Sequence, residues 1–387
     1  MSLLITLLVL VLLIWAVERF YLRGIQNIPP IQAGNAGLYR VFESGPESSA
    51  QQQAVINTVA DLTGQIRTAL INHQLRTARE AFNRVGQGRQ FVSEFRPVDA
   101  AGVNAEWVLA PNADPARRVL YLHGGGFIMG CPESHRTITS RFSEITGCAV
   151  LSIDYRLMPE HRHRACVEDC RAAYRWILGN GPDGPDEVKK LFFAGDSAGG
   201  NLALSLAAWV RDNGLRAPDA VVAMSPLTDV TFSGASLRDN WPTDIMLRRV
   251  MGTLNKLPQF IKSWWVVWTY RVRPASPMVS PLFGDLSNLP PTLVQASEAE
   301  MLLDDARRYV FKTHAAGSPV KLQTWTGMVH VWQIFYPDLP QAAEAWEEIG
   351  RFIGEQSCYR PIPTDYLDSL SARNCSQVSL AGCQTSA

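Results

Sequence analysis

The sequence predicts an α/β protein built on one open, mostly parallel eight-stranded sheet with helices on both faces. The first observation is composition, because 47% of the residues are hydrophobic and only 19% are charged, as in folded globular domains. The second is a series of short apolar or β-branched runs, and the third is that helix-length segments separate the later runs. Parallel strands joined by helices are buried on both faces and therefore form continuous apolar runs. The eight runs are 91–95, 106–109, 118–123, 149–155, 191–195, 220–225, 292–296 and 320–325.

Helices are predicted between the later strands and upstream of the first one. Residues 48–83 place apolar side chains at helical spacing, which predicts one or two amphipathic helices. After residue 227 the alternation stops until residue 290, and this interval has no strand pattern but contains Trp241, Trp264, Trp265 and Trp268. Segments of this length inside a domain are usually functional, so 228–285 is interpreted as a helical insertion. The remaining helical segments are 133–147, 165–179, 199–213, 304–317 and 341–354.

The N-terminal run 3–17 is apolar except for Thr6, and its extension to residue 22 is long enough, as a helix of about 30 Å, to cross a bilayer. No basic residue precedes it and no small-residue cleavage site follows it. These features favour a membrane anchor over a cleaved signal peptide or a buried or interfacial helix. Arg19, Arg23 and Arg40 lie on the C-terminal side of the apolar run, which predicts a cytoplasmic catalytic domain, whereas cleavage would give a secreted or periplasmic protein.

Charge and cysteine content exclude several classes of function. The 36 basic and 36 acidic residues give a net charge of zero, and no basic block is present, so no nucleic-acid partner is expected. The seven cysteines include no C-x-x-C pair, and no H-E-x-x-H pattern occurs. No metal-ligand spacing is therefore present, and we expect neither a metal nor an organic cofactor.

A short motif identifies a candidate nucleophile. The pattern Gly195-Asp-Ser-Ala-Gly199 lies between a buried-strand run and the start of a helix. A tight turn at such a joint requires small neighbours and projects the serine hydroxyl above the sheet, next to the helix N-terminus. The context therefore predicts Ser197 as a catalytic nucleophile.

A second glycine-rich motif, His123-Gly-Gly-Gly-Phe127, follows an earlier strand. Glycines allow the backbone to approach a substrate and to turn N–H groups towards it. We expect the N–H groups of Gly124 and Gly125 to join that of Ala198 in an oxyanion hole.

A nucleophilic serine needs a histidine to accept its proton and a carboxylate to orient that histidine. His330 follows the last strand, in the chain order serine, acid, histidine, and is the predicted base. The acid is expected after the strand at 292–296. Glu300 is preferred because it lies in the loop, with Glu298, Asp304 and Asp305 left as alternatives.

Taken together, these motifs resemble those of the hormone-sensitive-lipase-like α/β-hydrolases, which include bacterial family IV esterases and arylacetamide deacetylase relatives. The resemblance covers about residues 90–354 and implies a helical cap formed by the N-terminal helices and the insertion. It also implies that Glu300 occupies the acidic position, where the family usually has Asp. The matching stretches are 123–127, 154–161, 195–200, 279–282 and 327–330.

The resulting expectation is a serine carboxylesterase that hydrolyses short- to medium-chain acyl esters through an acyl-enzyme. A lactone hydrolase with the same residues, or a non-catalytic ligand-binding protein on this fold, are the alternatives. The expected organisation is an anchor or signal at 1–24, a linker and cap helices at 25–89, a catalytic domain at 90–354 and a flexible tail at 355–387. The physiological substrate, the membrane sidedness and the oligomeric state stay open.

Overall fold

A nine-stranded sheet forms the centre of the molecule. The computed structural model describes residues 2–24, 37–43 and 50–357. The strands of this sheet are β1 Tyr39–Phe42, β2 Glu94–Asp99, β3 Asn104–Leu109, β4 Asp114–Leu122, β5 Cys148–Ile153, β8 Lys190–Asp196, β9 Ala220–Met224, β10 Thr292–Ser297 and β11 Val320–Trp325. Two further strands, β6 Asn180–Gly181 and β7 Gly184–Pro185, form a separate hairpin.

The strand order is β1-β11-β10-β9-β8-β4-β5-β3-β2. All neighbours from β1 to β5 in this order pair in parallel, whereas β3 pairs antiparallel with β5 and with β2. Every residue of β5, β9 and β10 is buried, as expected for parallel strands covered on both faces. The carboxyl ends of β8, β10 and β11 therefore meet at one edge of the sheet.

Helices cover both faces of this sheet. Along β4, Leu120 and Leu122 belong to one apolar core and Val119 and Tyr121 to the other, because successive strand side chains point to opposite faces. Helices α5, α6 and α11 pack into the first core, and α4 and α12 into the second. The helices are α1 Ser2–Ala16, α2 Ala50–Ile71, α3 Leu75–Asn83, α4 Arg136–Thr146, α5 His163–Gly179, α6 Ala198–Asp212, α7 Ser236–Asp239, α8 Leu247–Val250, α9 Gly252–Lys256, α10 Gln259–Tyr270, α11 Leu303–Ala315 and α12 Pro340–Ser357, with short 3₁₀ turns at Arg84–Gly86, Glu133–His135, Pro281–Phe283 and Trp332–Phe335.

The predicted fold class is confirmed, but the expected strand number is wrong. The ninth strand, β1, lies inside the stretch interpreted as a linker and pairs in parallel with β11 at the sheet edge. It has four residues, and its Phe42 stacks on Trp325 with ring centroids 4.1 Å apart. Strand β2 also begins three residues later than the predicted run at 91–95. The rest of the linker, at 25–36 and 44–49, and the tail from residue 358 onward lie outside the described residues.

The insertion between β9 and β10 is helical and contacts the upstream helices. It contains α7 to α10, and Arg249 at the end of α8 donates to the Ala60 carbonyl of α2 over 2.6 Å. Arg79 of α3 donates to the Ile128 carbonyl over 2.7 Å, and Tyr270 of α10 packs edge-on against Phe127. Both groups of helices therefore contact the loop that begins at His123.

The N-terminal helix extends away from this body. Helix α1 continues as a π-helical segment, Val17–Leu22. The stretch Leu4–Leu22 has 19 residues and a mean hydropathy of 2.1, and only 6% of it is buried. Its length and composition are sufficient to cross a membrane, and a signal sequence near an N-terminus has the same properties.

Candidate active site

Ser197 occupies a strained turn between β8 and α6. Its backbone has φ 50° and ψ −115°, a conformation that L-residues rarely adopt. The turn is held because the Ser197 N–H donates to the Met224 carbonyl over 2.8 Å, and the Ser197 carbonyl accepts from Leu227 N over 3.1 Å. A Cβ on Gly199 would lie 1.9 Å from the Leu122 carbonyl, so this position requires glycine. The motif is thus built around close contact between α6 and β4.

His330 and Glu300 complete a hydrogen-bonded chain with this serine. His330 Nε2 lies 2.9 Å from Ser197 Oγ, and His330 Nδ1 lies 2.5 Å from Glu300 Oε2. Since the carboxylate accepts, Nδ1 carries the proton and Nε2 is free to accept from the serine hydroxyl. The side chains of His330 and Glu300 are buried, whereas Ser197 is partly exposed. The structure therefore brings together the three residues predicted from the sequence.

The alternative acids all have other partners. Glu298 accepts from the Tyr39 hydroxyl and pairs with Arg307 over 2.6 Å. The carboxylates of Asp304 and Asp305 accept from backbone N–H groups, of Ser236 and of Thr228 and Asp229 respectively. Among the residues considered, only Glu300 contacts the imidazole of His330.

Electrostatics at His330 reflect two opposing effects. Burial alone would lower the pKa of His330, but the charge of Glu300 and its hydrogen bond outweigh burial and raise this pKa above 6.5. A further carboxylate, that of Asp244 in the insertion, acts in the same direction. Burial raises the pKa of Asp244 itself to about 6, although the charge of His330 opposes this rise.

The glycine loop corrects one predicted donor. Gly124 is buried, and its N–H donates to Asp196 Oδ1 over 2.9 Å, so this N–H is not available to a substrate. Gly125 is partly exposed and Gly126 is exposed. Within the described residues, neither of their N–H groups donates to a protein acceptor. Ala198 is the first residue of α6 and likewise has no intrahelical acceptor. The available donors are therefore Gly125, Gly126 and Ala198.

Buried polar side chains hold this loop in place. Asp196 Oδ1 also accepts from the Tyr121 hydroxyl over 2.5 Å. Burial alone would raise the pKa of Asp196, but the charge of His135 and hydrogen bonds from His135 and Tyr121 lower it overall. His123 Nδ1 donates to the Gly124 carbonyl over 2.8 Å, and burial lowers the pKa of His123 to about 3, so the ring is neutral. These contacts fix the loop without using its exposed N–H groups.

The insertion supplies functional contacts that no sequence motif indicated. Asp244 accepts from Met301 N and from Leu247 N, each over 2.8 Å. Asn240 Nδ2 donates to the carbonyls of Glu298 and Glu300 over 2.9 and 2.8 Å. The loop that carries Glu300 is thus held by the insertion. Asp244 follows Trp-Pro-Thr in a segment without periodicity, so its role became visible only in three dimensions.

No candidate metal centre is found in the part of the chain that the structure describes. Over residues 2–24, 37–43 and 50–357, no group of three or more His, Cys, Asp or Glu is arranged to hold a metal ion. The cysteines described, at 131, 148, 166 and 170, are free thiols.

Comparison with known proteins finds similarity in the part of the chain that contains the candidate catalytic residues. A family model described as the alpha/beta hydrolase fold matches residues 119–334, a stretch that includes Ser197, Glu300 and His330. The chain belongs to the α/β-hydrolase family. An acetyl-hydrolase of Streptomyces hygroscopicus is 37% identical over 277 residues, which cover 71% of this chain and 86% of that protein. An esterase of Acinetobacter venetianus is 34% identical over 259 residues, which cover 67% of this chain and 81% of that esterase.

Solved structures place this α/β-hydrolase among esterases of one branch. An esterase from the bacterial hormone-sensitive lipase family superposes with a TM-score of 0.69 at 34% identity, over 80% of this chain and 99% of that one. The esterase EstE5, soaked with p-nitrophenyl butyrate, gives a TM-score of 0.67 at 31% identity over the same shares. The resemblance to the hormone-sensitive-lipase-like esterases is thereby confirmed, and the reaction class is hydrolysis of carboxylic esters.

Proposed function

We propose that this protein is a serine carboxylesterase in which Ser197 is the nucleophile, His330 the general base and Glu300 the orienting acid. The hydrogen-bonded chain from Ser197 through His330 to Glu300 is the observation that carries the proposal. The family and its esterase relatives support hydrolysis of an ester. The three side chains fit the roles of nucleophile, base and orienter in acyl transfer.

The reaction proceeds in two halves. His330 Nε2 takes the Ser197 proton while Ser197 Oγ bonds to the acyl carbon, and the carbonyl oxygen becomes an oxyanion held by N–H groups of Gly125, Gly126 and Ala198. Collapse of this intermediate breaks the ester bond, and the leaving alcohol takes the proton from His330. In the second half His330 deprotonates water, which attacks the acyl-enzyme. The acid is then released, and Ser197 regains its proton.

Short- to medium-chain acyl esters are the proposed substrates. The names of the relatives support this range, since one is an acetyl-hydrolase and one structural relative was soaked with a butyrate ester. Lactone hydrolysis would use the same atoms on a cyclic ester. A panel of linear p-nitrophenyl esters of increasing length and of five- to seven-membered lactones therefore separates these substrates by their kcat/KM values.

Replacing the nucleophile tests the assignment. We expect Ser197→Ala to reduce turnover of p-nitrophenyl acetate and butyrate by up to about 10⁶-fold, because the covalent step is lost. Ser205→Ala is the matched control, since Ser205 lies on the same helix and its hydroxyl faces the Pro277 carbonyl at 3.4 Å. Substantial residual hydrolysis in Ser197→Ala, with the control fully active, would rule out the mechanism.

The proposed organisation adds an anchor and a cap to the catalytic domain. We propose that residues 3–22 anchor the protein in a membrane with the catalytic domain on the cytoplasmic side, since Arg19 and Arg23 lie at its C-terminal end. Helices α2 and α3 and the insertion at 228–285 act together as the cap. Membrane fractionation and the intact mass of the purified protein distinguish an anchor from a cleaved signal.

A further inference from the structure

Helix α10 exposes a set of large apolar side chains, although it also buries Val266 and Tyr270. Its exposed side chains are apolar, with Phe260 48%, Ile261 37%, Trp265 38% and Trp268 67% exposed. Its buried residues include Lys262 and Ser263. A helix on a water-facing surface normally buries its apolar stripe and exposes its polar one. Clustered exposed aromatic side chains of this kind mark an interaction surface.

The same helix is joined to the N-terminal helix through a buried carboxylate. Glu18 is only 1% exposed, and its Oε1 accepts from Ser263 Oγ of α10 over 3.0 Å and pairs with Arg23 Nε at 2.5 Å. The Leu22 carbonyl accepts from Ala275 N, just after α10, over 3.2 Å. A charge buried in this way needs its partners, so these contacts fix the end of the N-terminal helix against α10.

The two helices share one continuous apolar surface. Ile14 of α1 lines a shallow groove with five residues of α10. Upstream of Ile14, every side chain from Leu4 onward is exposed. The apolar surface of the candidate membrane helix therefore passes directly onto α10. We call the five residues the α10 face: Phe260, Ile261, Trp264, Trp265 and Trp268.

Arginine side chains lie over aromatic rings where this surface ends. Arg271 lies over Trp268 at 5.8 Å, and Arg273 lies over Tyr21 at 4.6 Å. Arg19 lies over Phe20 at 5.7 Å. Aromatic rings and arginines are enriched at the boundary between acyl chains and headgroups, where the ring is amphipathic and the guanidinium binds phosphate. Along this surface, the side chains suited to acyl chains therefore come first, and the arginines suited to headgroups lie where the surface ends.

From these observations we infer that the α10 face is immersed in a lipid bilayer at the boundary between headgroups and acyl chains, beside the N-terminal helix. The occupant is lipid, because the face continues the surface of an exposed apolar helix and ends in cations that complement lipid phosphates. The inference goes beyond the proposed anchor. An anchor alone tethers the protein, whereas this contact also orients the insertion relative to the membrane.

Quenching by brominated lipid tests the contact directly. The full-length protein is reconstituted into phosphatidylcholine vesicles with or without bromine at acyl positions 6 and 7, in a Trp15→Phe background that removes the tryptophan of α1. We expect bromine to quench part of the remaining tryptophan fluorescence. Adding Trp265→Phe and Trp268→Phe should remove most of this quenched fraction.

The matched control replaces two partly buried tryptophans of α5 and α6, Trp176→Phe and Trp209→Phe, and should leave the quenched fraction unchanged. Vesicle flotation of each variant reports the anchor separately. One outcome would overturn the inference and leave the anchor intact. In that outcome the variant with Trp265→Phe and Trp268→Phe still floats with the vesicles and is quenched as much as the Trp15→Phe protein. If that variant fails to fold, the Trp15→Phe protein alone still tests the inference. An absence of quenching in that protein would overturn the inference, and this is the result expected if a second copy of the chain, not lipid, covered the α10 face.

Discussion

At the scale of single residues, Glu300 sets both the orientation and the pKa of His330. The 2.5 Å contact to Nδ1 selects the tautomer that leaves Nε2 facing Ser197. The same carboxylate raises the pKa of His330 against the effect of burial. Catalysis requires the neutral imidazole, so activity is expected to fall as pH decreases through this raised pKa.

The variant Glu300→Gln gives a separate readout for the orientation and for the pKa of His330. We expect kcat/KM to fall by about 10⁴-fold, because an amide does not enforce the productive tautomer. The acid limb of the pH profile should also move to lower pH, since burial of His330 then acts without the opposing carboxylate and its pKa falls. Glu298→Gln is the matched control and should keep both the rate and the profile. An acid limb that stays in place in Glu300→Gln would contradict the assignment of this acid.

Much of this site could be predicted from residue types in their local context. Ser197 lies in a strand–turn–helix motif that indicated it directly, and His330 follows the last strand, so chain order indicated the base. Gly124 was predicted wrongly as an oxyanion donor, because the direction of an N–H depends on its acceptor. That acceptor, Asp196, lies 72 residues further along the chain. Gly126 was missed for the same reason, although it belongs to the same glycine run.

At the scale of elements, the insertion between β9 and β10 holds the loop that carries the acid. Asp244 accepts two backbone N–H groups, one of them from Met301 beside Glu300. Thr243 Oγ1 donates to the Ala299 carbonyl over 2.8 Å, which adds a side-chain contact to the same loop. The position of Glu300 therefore depends on a segment outside the sheet.

Removing the Asp244 carboxylate tests this dependence. Asp244→Ala leaves two N–H groups without an acceptor, and we expect the free energy of unfolding to fall by about 2–4 kcal/mol. Because Asp244 also raises the pKa of His330, the acid limb of kcat/KM should shift to lower pH. Urea unfolding and a pH profile measure the two effects. Asp239→Ala, at the exposed end of α7, is the control, and an unchanged pH profile in Asp244→Ala would limit Asp244 to a structural role.

Element boundaries followed the sequence where periodicity was strong. The runs that became β8 and β9 are almost entirely apolar, and those that became β10 and β11 adjoin helix-length segments, so the positions of all four strands were clear. Strand β1 escaped prediction because its four residues have no alternation, and its pairing with β11 joins segments far apart in the chain. The contact between α8 and α2 was equally hidden, since the hydrogen bond from Arg249 to Ala60 spans 189 positions.

At the scale of the whole molecule, the candidate catalytic residues and the candidate membrane helix lie in different parts of the chain. The family match begins at residue 119, whereas the candidate membrane helix ends at Leu22. Helix α10 connects the two parts, because Ser263 contacts Glu18 and Tyr270 contacts Phe127 in the glycine loop. The proposed lipid contact would therefore hold the insertion, and the glycine loop that it contacts, close to the membrane surface.

The central claim is that Ser197 is a nucleophile activated by His330, and labelling with a fluorophosphonate probe tests it most directly. The probe reacts only with an activated serine, and peptide mass spectrometry locates the adduct. We expect one adduct per chain at Ser197, none in Ser197→Ala and strongly slowed labelling in His330→Ala. An intact full-length protein that forms no adduct, or that is labelled at another residue, would contradict the account and favour a non-catalytic binding protein on this fold.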